Sequence, residues 1–236
     1  MIELDLALQR GEFSLELALA SPARALALFG PSGCGKTSTL LAIAGLLRPR
    51  QGRIAINGRV LFDSRAGVDV ATARRDLGVV FQDARLFPHL TVRDNLRYGM
   101  PRNATMQAFD EVVQLLQLPA LLKRRPGQLS GGQIRRVAIG RALLRQPHAL
   151  LLDEPLSNLH REARVEVLDH LRGLKREFAL TTVLVSHQPD EVIALADQVA
   201  RIEDGRLVAL EDVCAFRAST NIAALAGGAP TASATG

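Results

Sequence analysis

From Phe13 to Leu19 apolar and polar residues alternate, which predicts a strand with one wet face. Ala25 to Phe29 is a short apolar run that leads into glycines, as a buried strand would. Lys36 to Leu47 carries helical apolar spacing and stops at Arg48-Pro49. Gly52 to Gly58 reads as a short strand bounded by turns, and Leu77 to Phe81 as a buried strand ending at Gln82.

From Asp83 to about Gln146 the period becomes helical. Thr91 with Asp94 forms a helix-capping pattern. Over 105–118 the spacing puts Met106, Phe109, Val112, Val113 and Leu116 on one face. A helix over Gln133 to Arg145 turns Ile134, Val137, Ala138 and Ala142 inward. Strands and helices then alternate: Leu150–Leu152, Arg161–Phe178, Thr182–Ser186 and Pro189–Ala196. Val199 to Leu210 reads as a hairpin turning at Asp204-Gly205.

Alternation broken by an all-helical block predicts an α/β fold, a mostly parallel core with a helical insertion at about 83–146. The domain is expected over 1–222. The small-residue tail at 223–236 has little to bury and is expected to be disordered.

Composition adds constraints. At 236 residues and 47% apolar the chain fits one large domain with a substantial core. Its net charge of +5 is almost all arginine, since lysine occurs only at 36, 123 and 175. The arginines are scattered through helical segments and read as a solvated surface rather than a nucleic-acid face. Two distant cysteines, Cys34 and Cys214, imply neither a disulfide framework nor a zinc site. The acidic N-terminus does not fit a signal peptide. No apolar run approaches the roughly 20 residues of a spanning helix. A soluble, cytoplasmic chain is the expectation.

Gly30-Pro31-Ser32-Gly33-Cys34-Gly35-Lys36-Thr37 matches G-x-x-x-x-G-K-[ST]. Its glycines let backbone N–H groups turn toward phosphate oxygens at a helix N-terminus. Ser38 follows in the same turn. Lys36 is placed to reach the β- and γ-phosphates of ATP, and Thr37 to bind Mg²⁺. The run Ala149 to Asp153-Glu154 is an apolar strand ending in two acids. The first, Asp153, would support Mg²⁺, and the second, Glu154, would act as general base on water. Cys34 sits at a variable loop position and reads as neutral filler, with a reactive thiol the alternative. His89, His148 and His170 lack ligand spacing and read as structural or surface residues.

Leu129-Ser130-Gly131-Gly132-Gln133 lies between the loop and the acidic strand. That ordered triple resembles the ATP-binding-cassette ATPases, the engines of ABC transporters, over residues 1 to about 215. The resemblance implies a P-loop NTPase core with an N-terminal antiparallel β portion and an inserted helical subdomain. It implies that Gln82 touches Mg²⁺ or the attacking water, and that His187 is a switch histidine holding the γ-phosphate. Phe13 lies where the family often stacks an aromatic on adenine, with a plain core role the equal alternative. Ser130 to Gln133 would close the ATP site of a second ATPase subunit, so a two-site homodimer is implied.

Val80 to His89 and Asn95 to Met100 resemble the ATPase subunits of bacterial molybdate importers. Those segments lie by the region that contacts membrane subunits in importers. The resemblance implies integral membrane permease partners and a solute-binding protein. The place of work would be the cytoplasmic face of the inner membrane, peripherally held. Importers of sulfate or a metal chelate, and ABC ATPases acting on nucleic acid, are the alternatives.

Two departures stand out. Ser157-Asn158-Leu159-His160 replaces the family's usual Ser-x-Leu-Asp. A histidine cannot replace a carboxylate acceptor in kind, which predicts weakened coupling between the two ATP sites. The family's molybdate ATPases often carry a C-terminal β-domain that binds the anion, whereas here a polar tail follows, so feedback within this chain by the oxyanion is not expected.

Overall fold

Eleven strands join in a single sheet among the described residues, which are 1–101, 104–178 and 180–226 of the computed structural model. The strands are β1 (Ile2–Arg10), β2 (Phe13–Ser21), β3 (Ala25–Phe29), β4 (Gln51–Ile56), β5 (Arg59–Asp63) and β6 (Val68–Asp69). The rest are β7 (Leu77–Val80), β8 (Ala149–Asp153), β9 (Thr181–Ser186), β10 (Gln198–Glu203) and β11 (Arg206–Asp212). Their spatial order is β6-β5-β4-β1-β2-β11-β10-β3-β9-β8-β7.

The sheet has two characters. From β10 through β3, β9 and β8 to β7 every pairing is parallel. From β6 through β5, β4 and β1 to β2 every pairing is antiparallel. In the parallel half β3, β8 and β9 are buried almost throughout, as strands covered on two sides must be. In the antiparallel half β2 alternates buried and exposed positions, as a strand with one wet face does.

Among the described residues seven α-helices cover the sheet or extend from it: α1 (Lys36–Ala44), α2 (Val92–Arg97), α3 (Met106–Leu115), α4 (Gly131–Leu143), α5 (Arg161–Glu177), α6 (Pro189–Leu195) and α7 (Val213–Ala226). Between β7 and β8 every regular element is helical among the described residues, where the sequence predicts an inserted helical block. Thr91 and Thr105 each cap a helix by accepting from the N–H three residues on.

Several expectations need correction. β1 has no counterpart in the sequence reading, although Ile2, Leu4, Leu6 and Leu8 are buried in strict alternation. Met106 is 57% exposed, because as the first residue of α3 it sits before the buried face begins. Ile134 is only half-buried. α1 ends at Ala44 rather than Leu47, since Gly45 takes a left-handed conformation and closes the helix. α4 begins two residues early because Ser130 caps it. Residues 223–226, expected in the tail, belong to α7, and 227–236 lie outside the described residues.

The arginines are not all at the surface. Arg75, Arg135 and Arg136 are 2%, 4% and 5% exposed. Arg75 donates to the Ala42 and Ile43 carbonyls at the C-terminal end of α1. There it satisfies acceptors that a helix end leaves open.

Candidate functional site

Parallel strands deliver their following loops to one edge of a sheet. Here β3, β9 and β8 are neighbours, with Phe29 opposite Ser186 and Asp153 opposite Val185. The loops that start at Gly30, His187 and Glu154 therefore open side by side. Three segments distant in sequence meet because of strand order alone.

The loop between β3 and α1 wraps tightly. Gly30 has φ 156°, and a Cβ there would lie 2.0 Å from the Ile202 carbonyl oxygen. Gly33 has φ 84°. Lys36 is 5% exposed, and its Nζ donates to the carbonyls of Gly30 (2.8 Å) and Pro31 (2.7 Å). It folds back on its own loop, so an incoming phosphate would replace those two acceptors. Cys34 is buried, its Sγ 3.8 Å from Lys36 Nζ.

The Thr37 hydroxyl donates to Asp153 Oδ1 at 3.0 Å, across 116 positions of sequence. Burial pushes the Asp153 carboxyl above the ordinary carboxylate range. The Thr37 hydrogen bond opposes that rise, the Glu154 charge adds to it, and Lys36 and Arg135 oppose it. A hydroxyl and a carboxylate are hard oxygen donors. This pair fits Mg²⁺, which takes one or two protein ligands and completes its shell with phosphate and water. Gln82 is exposed, and among the described residues its side chain has no hydrogen-bond partner.

Glu154 has φ 45°, a conformation that costs about 1–3 kcal/mol for a non-glycine residue and persists only where the surroundings impose it. The surroundings do so here. Its N–H donates to the Val185 carbonyl at 2.9 Å. Its own carbonyl accepts from the Ser157 N–H at 3.1 Å and the Ser157 hydroxyl at 2.8 Å. The side chain then turns toward His187, with Oε1 2.9 Å from Nδ1. A carboxylate can only accept, so Nδ1 carries the proton and Nε2 is left to accept from Gln188 Nε2 at 3.4 Å.

Two cavities of about 330 Å³ each adjoin the loop. One is lined by Phe13, Ser32, Gly33, Gly35, Lys36, Thr37, Ser38 and Glu154. The other reaches from Phe29, Gly30, Pro31 and Ser32 to His187 and β10. Phe13 is half-buried at the start of β2, its Cζ 3.2 Å from where a Cβ on Gly35 would sit. It is thus both a strand residue and a wall of the cavity.

Ser130 and Gln133 form a capping box: Ser130 Oγ accepts the Gln133 N–H (3.3 Å), and Gln133 Oε1 accepts the Ser130 N–H (3.1 Å). None of Ser130, Gly131, Gly132 and Gln133 lines either cavity. The structure brings Phe13, the loop from Gly30 to Ser38, Asp153, Glu154 and His187 together. It leaves the segment from Ser130 elsewhere on the same chain.

Arg135 was not singled out by the sequence. Its two terminal nitrogens donate to the carbonyls of Phe81 and Gln82, each at 2.7 Å, so α4 grips the backbone that carries Gln82. No local pattern separates such an arginine from a solvated one on a helix. The tertiary packing alone makes it buried.

The geometry has counterparts. A family model described as ABC transporter matches residues 15–157. The molybdenum import ATP-binding protein ModC of Paramagnetospirillum magneticum is 49% identical over 89% of this chain and 58% of its own length. That of Salmonella typhimurium is 51% identical over 90% of this chain and 61% of its own. The chain thus spans about three fifths of the length of these relatives. Among solved structures, the dimeric post-hydrolysis state of the ATP-binding cassette MJ0796 bound to ADP and Pi superimposes with TM-score 0.75. It is 27% identical, and the match covers 90% of this chain and 99% of that one.

Proposed function

The chain belongs to the ABC transporter family, and from that premise we propose that it is the ATP-hydrolysing subunit of a molybdate importer. The observation that carries the ATPase reading is the Glu154–His187 pair, 2.9 Å apart beside a loop built for phosphates. The solute follows from near-half identity to proteins named for molybdenum import. Tungstate, of like charge and shape, belongs to the same class.

In this reading ATP lies along the loop from Gly30 to Ser38 with its adenine on Phe13. Lys36 leaves the Gly30 and Pro31 carbonyls and moves to the β- and γ-phosphates. Thr37 and Asp153 would hold Mg²⁺, with Gln82 a further candidate ligand, and the bound ion would neutralise charge on the phosphates. Glu154 accepts a proton from the attacking water. His187 orients Glu154 through Nδ1; to hold the γ-phosphate, as the resemblance implies, Nε2 would have to leave Gln188 and carry a proton of its own. The helix start at Ser130, with Gly131, Gly132 and Gln133, serves a second copy's nucleotide, since none of these residues lines the cavities at its own loop. Closure of two copies around two ATP molecules would move permease subunits at the cytoplasmic face of the membrane. Docking near Gln82 fits the resemblance of Val80–His89 to importer ATPases. A solute-binding protein would act through that permease. Among the described residues no helix is long and apolar enough to cross a membrane, so other chains would supply the spans.

The test is molybdenum uptake at low external molybdate in a strain lacking this chain, with phosphate release measured on the purified protein. Uptake should return with wild type and not with Glu154→Gln, which should bind ATP and hydrolyse it about 10²- to 10⁴-fold more slowly. Near-normal turnover by Glu154→Gln would remove Glu154 from the base role. Unchanged uptake in the deletion strain would remove molybdate as the solute.

A further inference from the structure

Glu191 is a carboxylate that the reaction above does not use, and it is 2% exposed on α6. Its Oε2 accepts the Ser186 hydroxyl at 2.7 Å, and its Oε1 accepts Arg164 Nη2 at 2.6 Å. The Ser186 oxygen also accepts the Gln188 backbone N–H at 3.0 Å. The residues on both sides of His187 are therefore tied, through one hydroxyl, to one buried carboxylate. His187 in turn meets Glu154. Burying a charge is expensive unless it is paired and hydrogen-bonded. An apolar side chain could fill the same space, so what the carboxylate adds is a defined position for the loop around His187.

The other end of the link leads to α4. Arg164 stands in the first turn of α5, its N–H donating to the His160 carbonyl at 2.9 Å. Next to it, the Cβ of Ala163 lies 3.1 Å from where a Cβ on Gly132 would sit. Leu159 Cδ2 stands 3.2 Å from the same point on Gly131. The helix start that bears Ser130 thus rests directly on the segment holding Arg164. Close-packed elements transmit displacement rather than absorb it.

We propose that Arg164, Glu191 and Ser186 form a link that holds His187 against Glu154 and carries movement of the Ser130 end of α4 to that pair. Glu191 is a positioning residue in this scheme. When a second copy's nucleotide is gripped at Ser130, the push on Ala163 reaches Arg164, and through Glu191 it reaches the loop of His187. This rests on the ATPase reading, and it supplies within one chain a path from the surface serving the partner's site to the chain's own base.

Four variants of the full chain test it: Glu191→Gln, Arg164→Lys, Ser186→Ala and Ser186→Thr. Three measurements are made on each: kcat and KM for ATP, the His187 imidazole signals by NMR without nucleotide, and the melting temperature. Glu191→Gln and Ser186→Ala should lower kcat about 10- to 100-fold through a displaced catalytic group. KM should stay within about twofold, as expected when ground-state binding is untouched. Both variants should shift the His187 signals, Ser186→Thr should restore the wild-type values because it keeps the hydroxyl, and Arg164→Lys should fall between. The link is refuted if folded Glu191→Gln keeps both kcat and the His187 signals, or if Ser186→Thr behaves like Ser186→Ala. It is equally refuted if kcat falls only as far as the folded fraction does. The NMR readout needs no turnover. Shifted His187 signals in a chain whose wild type does not hydrolyse ATP would uphold the link and overturn the ATPase reading.

Discussion

Replacing Gly30 with alanine sets a Cβ 2.0 Å from the Ile202 carbonyl oxygen and 3.0 Å from Cys34 Sγ. An ordinary carbon–oxygen approach is about 3.3–3.6 Å, so more than 1 Å must be cleared. Neither side can yield freely. Ile202 lies in β10, which is paired with β3 as far as Arg201 opposite Phe29, and Gly30 follows Phe29 directly. Overpacking of this kind costs about 1–3 kcal/mol. The conformation at φ 156°, strained for an alanine, adds about 1–3 kcal/mol. At this chain length each kcal/mol lowers the melting temperature by about 2–4 °C, so Gly30→Ala should melt at least about 4 °C below wild type. Two controls separate the terms. Gly33→Ala meets nothing within 4 Å but keeps φ 84°, so it should show only the conformational part. Gly127→Ala meets nothing within 4 Å and has no left-handed φ, and should match wild type within about 0.5 kcal/mol. Thermal unfolding followed by circular dichroism on the three purified variants gives the ranking. If Gly30→Ala melts with Gly127→Ala, the loop is not pinned against β10 and the reasoning fails.

Because burial raises the Asp153 carboxyl pKa, its ionised form is disfavoured by the fold; stability from this group is complete below the ordinary carboxylate value and lost as pH rises through the raised one. Asp153→Asn keeps an acceptor for Thr37, so at pH 7 it should melt above wild type while losing Mg²⁺-dependent turnover; a lower melting temperature across pH 4–7 contradicts this. His160 is the N-cap of α5 and makes no side-chain cap bond. His160→Asp should therefore stabilise by about 0.5–2 kcal/mol, visible in thermal melts. It should also raise the cooperativity of ATP hydrolysis, and unchanged values of both would sink the idea. Arg135→Lys cannot fork between the Phe81 and Gln82 carbonyls, and losing one part-buried hydrogen bond costs about 0.5–1.5 kcal/mol; a melt indistinguishable from wild type would show that the clamp contributes nothing.

Legibility differed between parts of the molecule for physical reasons. β3, β8 and β9 are readable because their apolar runs are continuous and bounded by strong turn signals, and α1 because its apolar residues carry a helical spacing. β1 alternates cleanly, yet what makes it a strand is its pairing with β2 on one side and β4 on the other, which no local pattern contains. α3 was found with its face nearly right; only Met106 misled, because a helical period cannot say at which residue the helix begins to pack. The buried arginines were missed altogether. Nothing near Arg75, Arg135 or Arg136 in sequence announces a carbonyl waiting 20 to 54 positions away.

What the sequence determined alone is the chemistry that fits within a few residues. The loop from Gly30 to Ser38 and the capped start at Ser130 are local because a turn of glycines and a helix N-terminus are made by neighbouring backbone groups. The tertiary structure decided which of these groups meet. Thr37 finds Asp153, and His187 finds Glu154, because β3, β9 and β8 lie side by side and end at the same edge. Periodicity reports which face of an element is buried, but the neighbour on that face follows from strand order, and strand order is a property of the whole chain folding at once.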